Sequence, residues 1–314
     1  MINTQTNRSF IEAEQYSDFI LRNLHDGMLP QNFYRNVSDF GEGETLNIKS
    51  IGEAKLQEVS EGSPLIYNPI ESGNIQMAIT EYPGDAWHIS DKMRQDGSQI
   101  PALLAARADE SRYALQQYVE SQAYATLNAA QTDADPNTIN GFPHRIASSE
   151  ANNIADVAAF SRMKLAFDKA EVPLGGRIAI VDPVVATTLQ ERFQGSYNVD
   201  ANPMMQEILN SGFDREHQFI MNLFGWNIMT SNRLPKGTFS DGTTSVTDGV
   251  ANLFMSVASD QTKPLMMAWR QMPKTESERN KDLQQDEYVM TARFGYGAQR
   301  LDTLGVYITS ASNV

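Results

Sequence analysis

Apolar residues recur along this chain with two different periods, and the changes of period divide it. Near the start, Ile11, Tyr16, Phe19, Ile20 and Leu24 fall at helical spacing. Ser9 stands three residues before Glu12, a capping box in which each side chain satisfies the other's free backbone N–H. The pattern predicts a short amphipathic helix ending near Asp26-Gly27. After Leu29-Pro30 the period falls to two. Leu46 and Ile48 alternate with Thr45, Asn47 and Lys49, and Ile75, Met77 and Ile79 alternate with Gln76 and Thr80. Glu61-Gly62-Ser63-Pro64 and Glu71-Ser72-Gly73-Asn74 between them are turn chemistry. The segment from about Gly52 to Asp85 therefore reads as a long two-stranded arm with a polar tip. An isolated hairpin is marginal in water, so this arm needs a partner surface in its own subunit or in the next.

The helical period returns between Pro101 and Ala130. Proline suits the first turn of a helix, where its missing N–H is not needed. Leu104, Ala108, Leu115, Tyr118 and Val119 recur on one face, while Arg107, Asp109, Glu110, Arg112 and Glu120 occupy the others. At 1.5 Å per residue such a helix is a rod of roughly 45 Å, far longer than the average globular helix. Its stripe is not a strict heptad, which argues against a coiled coil.

Thr132 to Pro143 is a loop rich in Asp, Asn and Pro, and a helix is predicted from about Asn153 to Glu171. The sequence GGRIAIVDP (Gly175 to Pro183) gives a strand over Arg177–Val181 and opens a helix at Asp182-Pro183; Asn202-Pro203 opens another. Gly225 to Met229 and Ala251 to Val257 read as further strands, with Arg233-Leu234-Pro235 as a stop. Together these make a small α/β lobe over roughly 175–262. Eight of the fourteen residues from Lys274 to Glu287 are charged, which predicts an exposed loop or hairpin tip. Strands at Tyr288–Tyr296 and Thr303–Thr309 follow, and are expected to rejoin the sheet beside the long helix. The lobe would then be an insertion in a discontinuous domain.

A chain of 314 residues with 41% hydrophobic and 20% charged residues can bury a large core. It contains no apolar run long enough to span a membrane and no secretory signal pattern at its start. With no cysteine, disulfides, thiolate metal sites and cysteine nucleophiles are excluded. The formal net charge is −14, and residues 39–96 hold eleven acidic and four basic side chains, half of the whole imbalance. A surface this acidic repels phosphates and argues against a dedicated nucleic-acid binder.

Motifs that carry chemistry are missing or incomplete. There is no Gly-x-Ser-x-Gly elbow and no phosphate loop. Gly295 and Gly297 begin a dinucleotide fingerprint, but Arg300 stands at its third glycine and the run lies in a strand pattern. Glycines that ease a strand past crowded neighbours account for it better. Asp133-x-Asp135-x-Asn137 imitates a calcium loop, yet its sixth position is Thr138 and its twelfth His144. His25, His88, His144 and His217 are scattered without metal-ligand spacing. Asp109 and Glu110 are adjacent on a helix and so face different ways, and Trp87, Trp226 and Trp269 read as core or interface anchors. No catalytic residue, cofactor site or metal site is assigned.

The order of elements resembles that of the major capsid proteins of tailed bacteriophages, whose fold is shared with the herpesvirus capsid floor and with encapsulins. The local likeness lies in Val172-Pro173-Leu174-Gly175-Gly176-Arg177 running into Ile178 to Pro183. A second lies in Leu223-Phe224-Gly225-Trp226-Asn227-Ile228 running into Thr230 to Pro235. The resemblance implies an α+β fold in four parts: an N-terminal arm at 1–38, an E-loop at 39–90, a peripheral domain with the spine helix at 91–172 and 263–314, and an axial domain at 173–262. It implies a non-enzymatic shell subunit forming hexamers and pentamers of an icosahedral capsid around double-stranded DNA, located in the virion and assembled in the host cytoplasm. Partners would be further copies of the chain, a portal and, in some members, a decoration protein, with DNA met only by proximity. The helix predicted from Ser9 leaves no place for a preceding coiled-coil segment, so a separate scaffolding protein is expected, the alternative being a prosegment that has been removed.

Some members join an E-loop lysine to an asparagine of a neighbour. Lys55 lies in the arm, but Glu53 and Glu58 favour its charged, unreactive form, so no crosslink is expected. Intersubunit contacts are expected at Phe10, Tyr16, Phe19 and Ile20, and at Leu65, Ile66 and Tyr67 near the arm tip, an apolar triplet between turns. The alternatives are an encapsulin-like cargo compartment and an α/β enzyme whose site one sequence does not reveal.

Overall fold

The computed structural model describes residues 33–38, 43, 45–51, 57–58, 72–96, 100–195 and 219–313. The expected N-terminal helix, most of the arm tip including Lys55, and the helix expected after Asn202-Pro203 lie outside these residues. In chain order, β1 (Tyr34–Asn36), β2 (Thr45–Ile51), β3 (Ser72–Ala78) and β4 (Gly84–Ser90) lead into α1 (Asp91–Asp96) and α2 (Ile100–Ala129). Then come β5 (Thr138–Ile139), β6 (Phe142–Pro143), β7 (Arg145–Ala147), α3 (Val157–Lys169), β8 (Arg177–Val181) and α4 (Pro183–Gly195). The chain closes with β9 (Phe219–Leu223), β10 (Trp226–Thr230), β11 (Lys236–Ser240), β12 (Ser245–Ser256), β13 (Leu265–Asn280), β14 (Gln285–Ala298) and β15 (Leu304–Ser310).

The long helix α2 runs thirty residues, as its pattern predicts. Leu104, Ala108, Ser111, Leu115, Val119, Ala123, Tyr124 and Leu127 are buried at steps of three and four. Tyr118, which the apolar pattern includes, leaves its ring exposed on the flank and donates a hydrogen bond from its hydroxyl to the Glu81 carboxylate.

Behind α2 stands a sheet in the order β7-β15-β12-β8-β10-β9, with β11 paired to β12 as a seventh strand. Alternation sorts its residues between two cores. Ile178, Ile180, Leu253, Met255, Leu304, Val306 and Ile308 face the side of α2. Ala179, Val181, Phe254 and Tyr307 face the other way, against Phe160, Met163 and Phe167 of α3 and Val185 and Leu189 of α4. All seven residues of β15 are buried. A strand apolar on both faces needs a central place in a sheet covered twice. The two closing strands, expected together in the sheet beside the long helix, therefore part: β15 pairs with β12 on one side and β7 on the other, in the sheet that also holds the lobe strands. Asn252, fully buried in β12, ties this centre together: its side-chain amide donates to Tyr307 O and Thr309 Oγ1, and its Oδ1 accepts the Asp182 N–H.

A second sheet, β1-β13-β14-β4, lies against the earlier part of α2, where Trp269, Met290, Ala292 and Phe294 join the core that contains Leu115 and Val119. The charged run from Lys274 to Glu287 is a hairpin tip: ten of its fourteen residues lie in β13 and β14, and the turn is 281–284. Arg279 near this turn binds Asp91 and Asp286, and Arg94 also meets Asp286. Gly84–Ser90, which the sequence placed at the end of the arm, pairs with β14 in this sheet. The two-stranded ribbon is thus β2 and β3, with Leu46 opposite Met77 and Ile48 opposite Ile75 on one face.

The ribbon leaves the body where β3 crosses β14, and the two glycines in the strand make the crossing possible. A side-chain carbon on Gly295 would lie 2.8 Å from Ile79 Cα, and one on Gly297 would lie 3.0 Å from a Met77 side-chain carbon. Both glycines serve close approach, as their strand setting implied. Gly295→Ala should therefore push the ribbon off its base and lower the stability of the isolated subunit by about 1–3 kcal/mol, measurable by denaturant unfolding. An unchanged midpoint would contradict the crossing.

His144 is wholly buried beside Phe167, its ring 5.5 Å away. Nδ1 lies 2.9 Å from the Asn137 carbonyl, and Nε2 has no hydrogen-bond partner. Burial pushes its pKa below the ordinary value, against weaker upward pulls from nearby carbonyls and Asp302. The unfolded chain then binds a proton more readily than the folded one, so stability is full above the unfolded value of about 6.5 and falls as pH drops through it. The melting temperature of the native chain should fall between pH 7 and pH 5 more steeply than that of His144→Asn, a comparison made by calorimetry at both pH values.

Candidate functional site

The two sequence stretches with the strongest local character, Val172 to Pro183 and Leu223 to Pro235, lie side by side because β8 and β10 pair in parallel, Ile178 opposite Asn227. Each residue type in the first stretch has a structural task. Gly176 has φ +69°, and a side-chain carbon there would lie 2.8 Å from Ala258 N. Arg177, nearly fully buried, donates to Val172 O and Pro173 O, pairs with Asp168 at 2.7 Å, and lies over the rings of Phe167 and Trp226. It thereby fastens the C-terminal end of α3 to the first residue of β8. Asp182 accepts the Val184 N–H at 3.1 Å and so caps α4.

The second stretch holds the lobe to the long helix. Ser231 donates its N–H to Val181 O at 3.0 Å, and its hydroxyl receives the Arg233 N–H at 3.3 Å, so the turn is fixed to the sheet. Leu234 is buried in the core shared with α2. Arg233 reaches back to Glu120 of α2, and its guanidinium lies 5.7 Å from the Tyr113 ring. The Tyr124 hydroxyl, one turn on, is hydrogen-bonded to Ser231. Burial holds the Glu120 carboxyl above the ordinary range despite the guanidinium, a sign of how far the pair is removed from water. Sequence reading took Glu120 for a polar residue off the apolar face and Arg233 for part of a stop. The available signal was the spacing of Tyr113, Glu120 and Tyr124, which sets a polar-aromatic stripe beside the Leu115–Val119 face.

The arm root is held in a similar way. Glu81 exchanges backbone hydrogen bonds with Phe294, accepts the Tyr118 hydroxyl, and so links the ribbon to both β14 and α2. The Glu81 carboxylate, with burial, pushes Tyr118 up to about 12. Tyr296 adds a hydrogen bond from its hydroxyl to Val119 O at 2.7 Å.

Phe10, Tyr16, Phe19, Ile20, Leu65, Ile66 and Tyr67, the expected intersubunit contacts, all lie outside the described residues. Apolar residues exposed elsewhere include Leu174 and Phe224, which the β8–β10 register carries to the same end of the lobe, and Leu283 at the hairpin turn. A cleft of about 410 Å³ opens beside the end of α2, lined in part by Asn128, Gln131, Asp133, Arg145 and Ser240. Arg145 there already donates to Ser240 O, Asn128 Oδ1 and Gln131 O, and Asp133 and Asp241 balance its charge. The calcium-like loop is occupied with itself: Asp133 and Asp135 cap their own backbone, and the Asn137 amide donates to Leu301 O. Among the described residues no three His, Asp or Glu side chains converge as metal ligands, and no helix is long and apolar enough to cross a membrane.

Comparison with known proteins places this arrangement. Residues 74–309, well over half of the chain, match the family model described as phage capsid protein. No curated protein sequence matches. Among solved structures, the mature capsid of bacteriophage PhiM1 is similar at 12% identity with a TM-score of 0.66, over 91% of this chain and 88% of that one. The capsid of cyanophage P-SCSP1u is 18% identical with a TM-score of 0.60, over 91% and 89%. A virus-like particle from Pyrococcus furiosus is 10% identical with a TM-score of 0.54, over 95% and 99%. A spine helix under a doubly covered sheet, a projecting ribbon and a match across both mark this chain as a member of the phage capsid protein family, a structural subunit of a virion shell.

Proposed function

We propose that copies of this chain close into hexamers and pentamers of an icosahedral shell around double-stranded DNA, assembled in the host cytoplasm with a separate scaffolding protein and a portal. A decoration protein on the outer surface is a further partner in the same scheme. The observation that carries the reading is the ribbon β2–β3, rooted by Gly295, Gly297 and Glu81 and built with one apolar face, within a chain of this family. The described part of the ribbon packs on its own chain, Leu46, Ile48 and Ile75 against Met77, Met266 and Ala268, so the surface left for a neighbouring copy is the apolar Leu65-Ile66-Tyr67 stretch between β2 and β3. Many such contacts, each modest, become strong together because every copy both gives and receives one. Head-to-tail contacts of this kind close into rings. The acidic balance suits a wall that encloses DNA without holding it.

The four-part division into N-terminal arm (1–38), E-loop (39–90), peripheral domain (91–172 and 263–314) and axial domain (173–262) belongs to the same proposal. The strand pairing argues for moving two boundaries: β4 goes with the peripheral sheet and β15 with the axial one. Phe10, Tyr16, Phe19 and Ile20, with Leu65, Ile66 and Tyr67, are proposed as intersubunit contacts on their apolar pattern.

Negative-stain electron microscopy with light scattering tests the reading on the purified chain, with and without its scaffolding partner. Closed shells or capsomer rings are expected, whereas a discrete monomer under both conditions would favour an enzyme with an unrecognised site. Removal of the arm tip around Leu65–Tyr67, or Ile66→Asp alone, should leave a folded subunit that no longer assembles. Normal shells from Ile66→Asp would remove that residue from the contact.

A further inference from the structure

We propose that the contact between Arg233 and Glu120 sets the tilt of the lobe on the long helix, and through that tilt the curvature and diameter of the assembled shell. The inference rests on the shell reading above. Most of the contact between lobe and helix is apolar, made by Leu127, Leu234, Val250 and their neighbours. The apolar driving force has no direction of its own, so polar contacts add the most specific constraint on the angle between lobe and helix. Directional contacts stand at two places: at the end of α2, where Arg145 of β7 donates to Asn128 Oδ1 and Gln131 O, and at mid-helix, where Arg233 meets Glu120 and lies over Tyr113, with Tyr124 beside Ser231.

Three features suit these groups to fixing an angle. The Arg233 and Glu120 side chains are only 24% and 13% exposed, so water and salt screen their attraction far less than on an open surface. The turn that carries Arg233 is fastened to the end of β8 through Ser231 and Val181, so a displacement of the lobe moves the guanidinium with it. Glu120 stands in the middle of a thirty-residue helix, which moves as a rod. Pairing at Arg233 therefore registers one rigid body against another. In a ring of head-to-tail copies, a small change of the angle within the subunit repeats at every copy and accumulates. Removal of Arg233 would also strand a half-buried carboxylate, which favours any tilt that lets water reach Glu120.

The test compares shells formed under identical conditions, with the scaffolding partner present, by the native chain, Arg233→Ala, Glu120→Gln and the exchanged pair Glu120→Arg with Arg233→Glu. Particle diameters are read by electron microscopy, and folding of each unassembled chain by circular dichroism and melting temperature. The native chain should give one sharp diameter. Arg233→Ala and Glu120→Gln should lose it, giving a broad or shifted distribution while the chains stay folded, and the exchanged pair should recover a narrower distribution than either single variant. Should Arg233→Ala fail to fold, Glu120→Gln, which keeps the shape and removes only the charge, decides the matter. Native-diameter shells from Glu120→Gln would overturn the proposal. Failure of the native chain to form any shell would instead overturn the shell reading.

Discussion

Strands β8, β12 and β15 are apolar on both faces along most of their paired length, and a sheet of that kind is stable only when each face is covered. One face takes α3 and α4, the other takes α2. Because α2 is thirty residues long and this sheet needs only its C-terminal part, the remainder is left to support a second sheet, whose hairpin and ribbon extend away from the core. The elongated, multi-armed subunit follows from that single mismatch between a long helix and a compact lobe. The hairpin turn carries Leu283 into solvent, whereas the apolar face of the ribbon lies against Met77, Met266 and Ala268 of its own chain.

Polar groups are concentrated where the bodies meet. Asn252 joins β8, β12 and β15 from within. Arg177 locks α3 to β8, Arg233 and Tyr124 lock the lobe to α2, and Glu81 with Tyr118 locks the ribbon to both. Hydrogen bonds and desolvated ion pairs add less net stability than apolar burial but have direction, which is what a tiling subunit requires.

Much of this was legible beforehand, and the reasons are physical. The periods of Leu104 to Leu127 and of Leu46 to Met77 reflect one solvent-facing and one covered face, which is the condition under which periodicity speaks. The strand at Arg177–Val181 announced itself through Gly176 and Asp182-Pro183, whose backbone requirements are local. The partners of strands were harder. Nothing in Leu304–Ser310 says which sheet it enters, because a strand buried on both faces has no alternation to read. The hairpin β5–β6, turning at Asn140-Gly141 with φ of 51° and 85°, was passed over as loop because its strands are two residues long. Arg233 and Glu120 were missed because they lie 113 residues apart and meet only through the fold.

A cryo-electron microscopy reconstruction of the assembled particle, at a resolution that shows side chains, tests most directly whether the arm reaches a neighbouring copy. Density for Leu65, Ile66 and Tyr67 is expected on an adjoining subunit, while Leu46, Ile48 and Ile75 keep their places against Met77, Met266 and Ala268 of their own chain. An arm folded wholly onto its own subunit, with neighbours joined through other surfaces alone, would contradict the proposal.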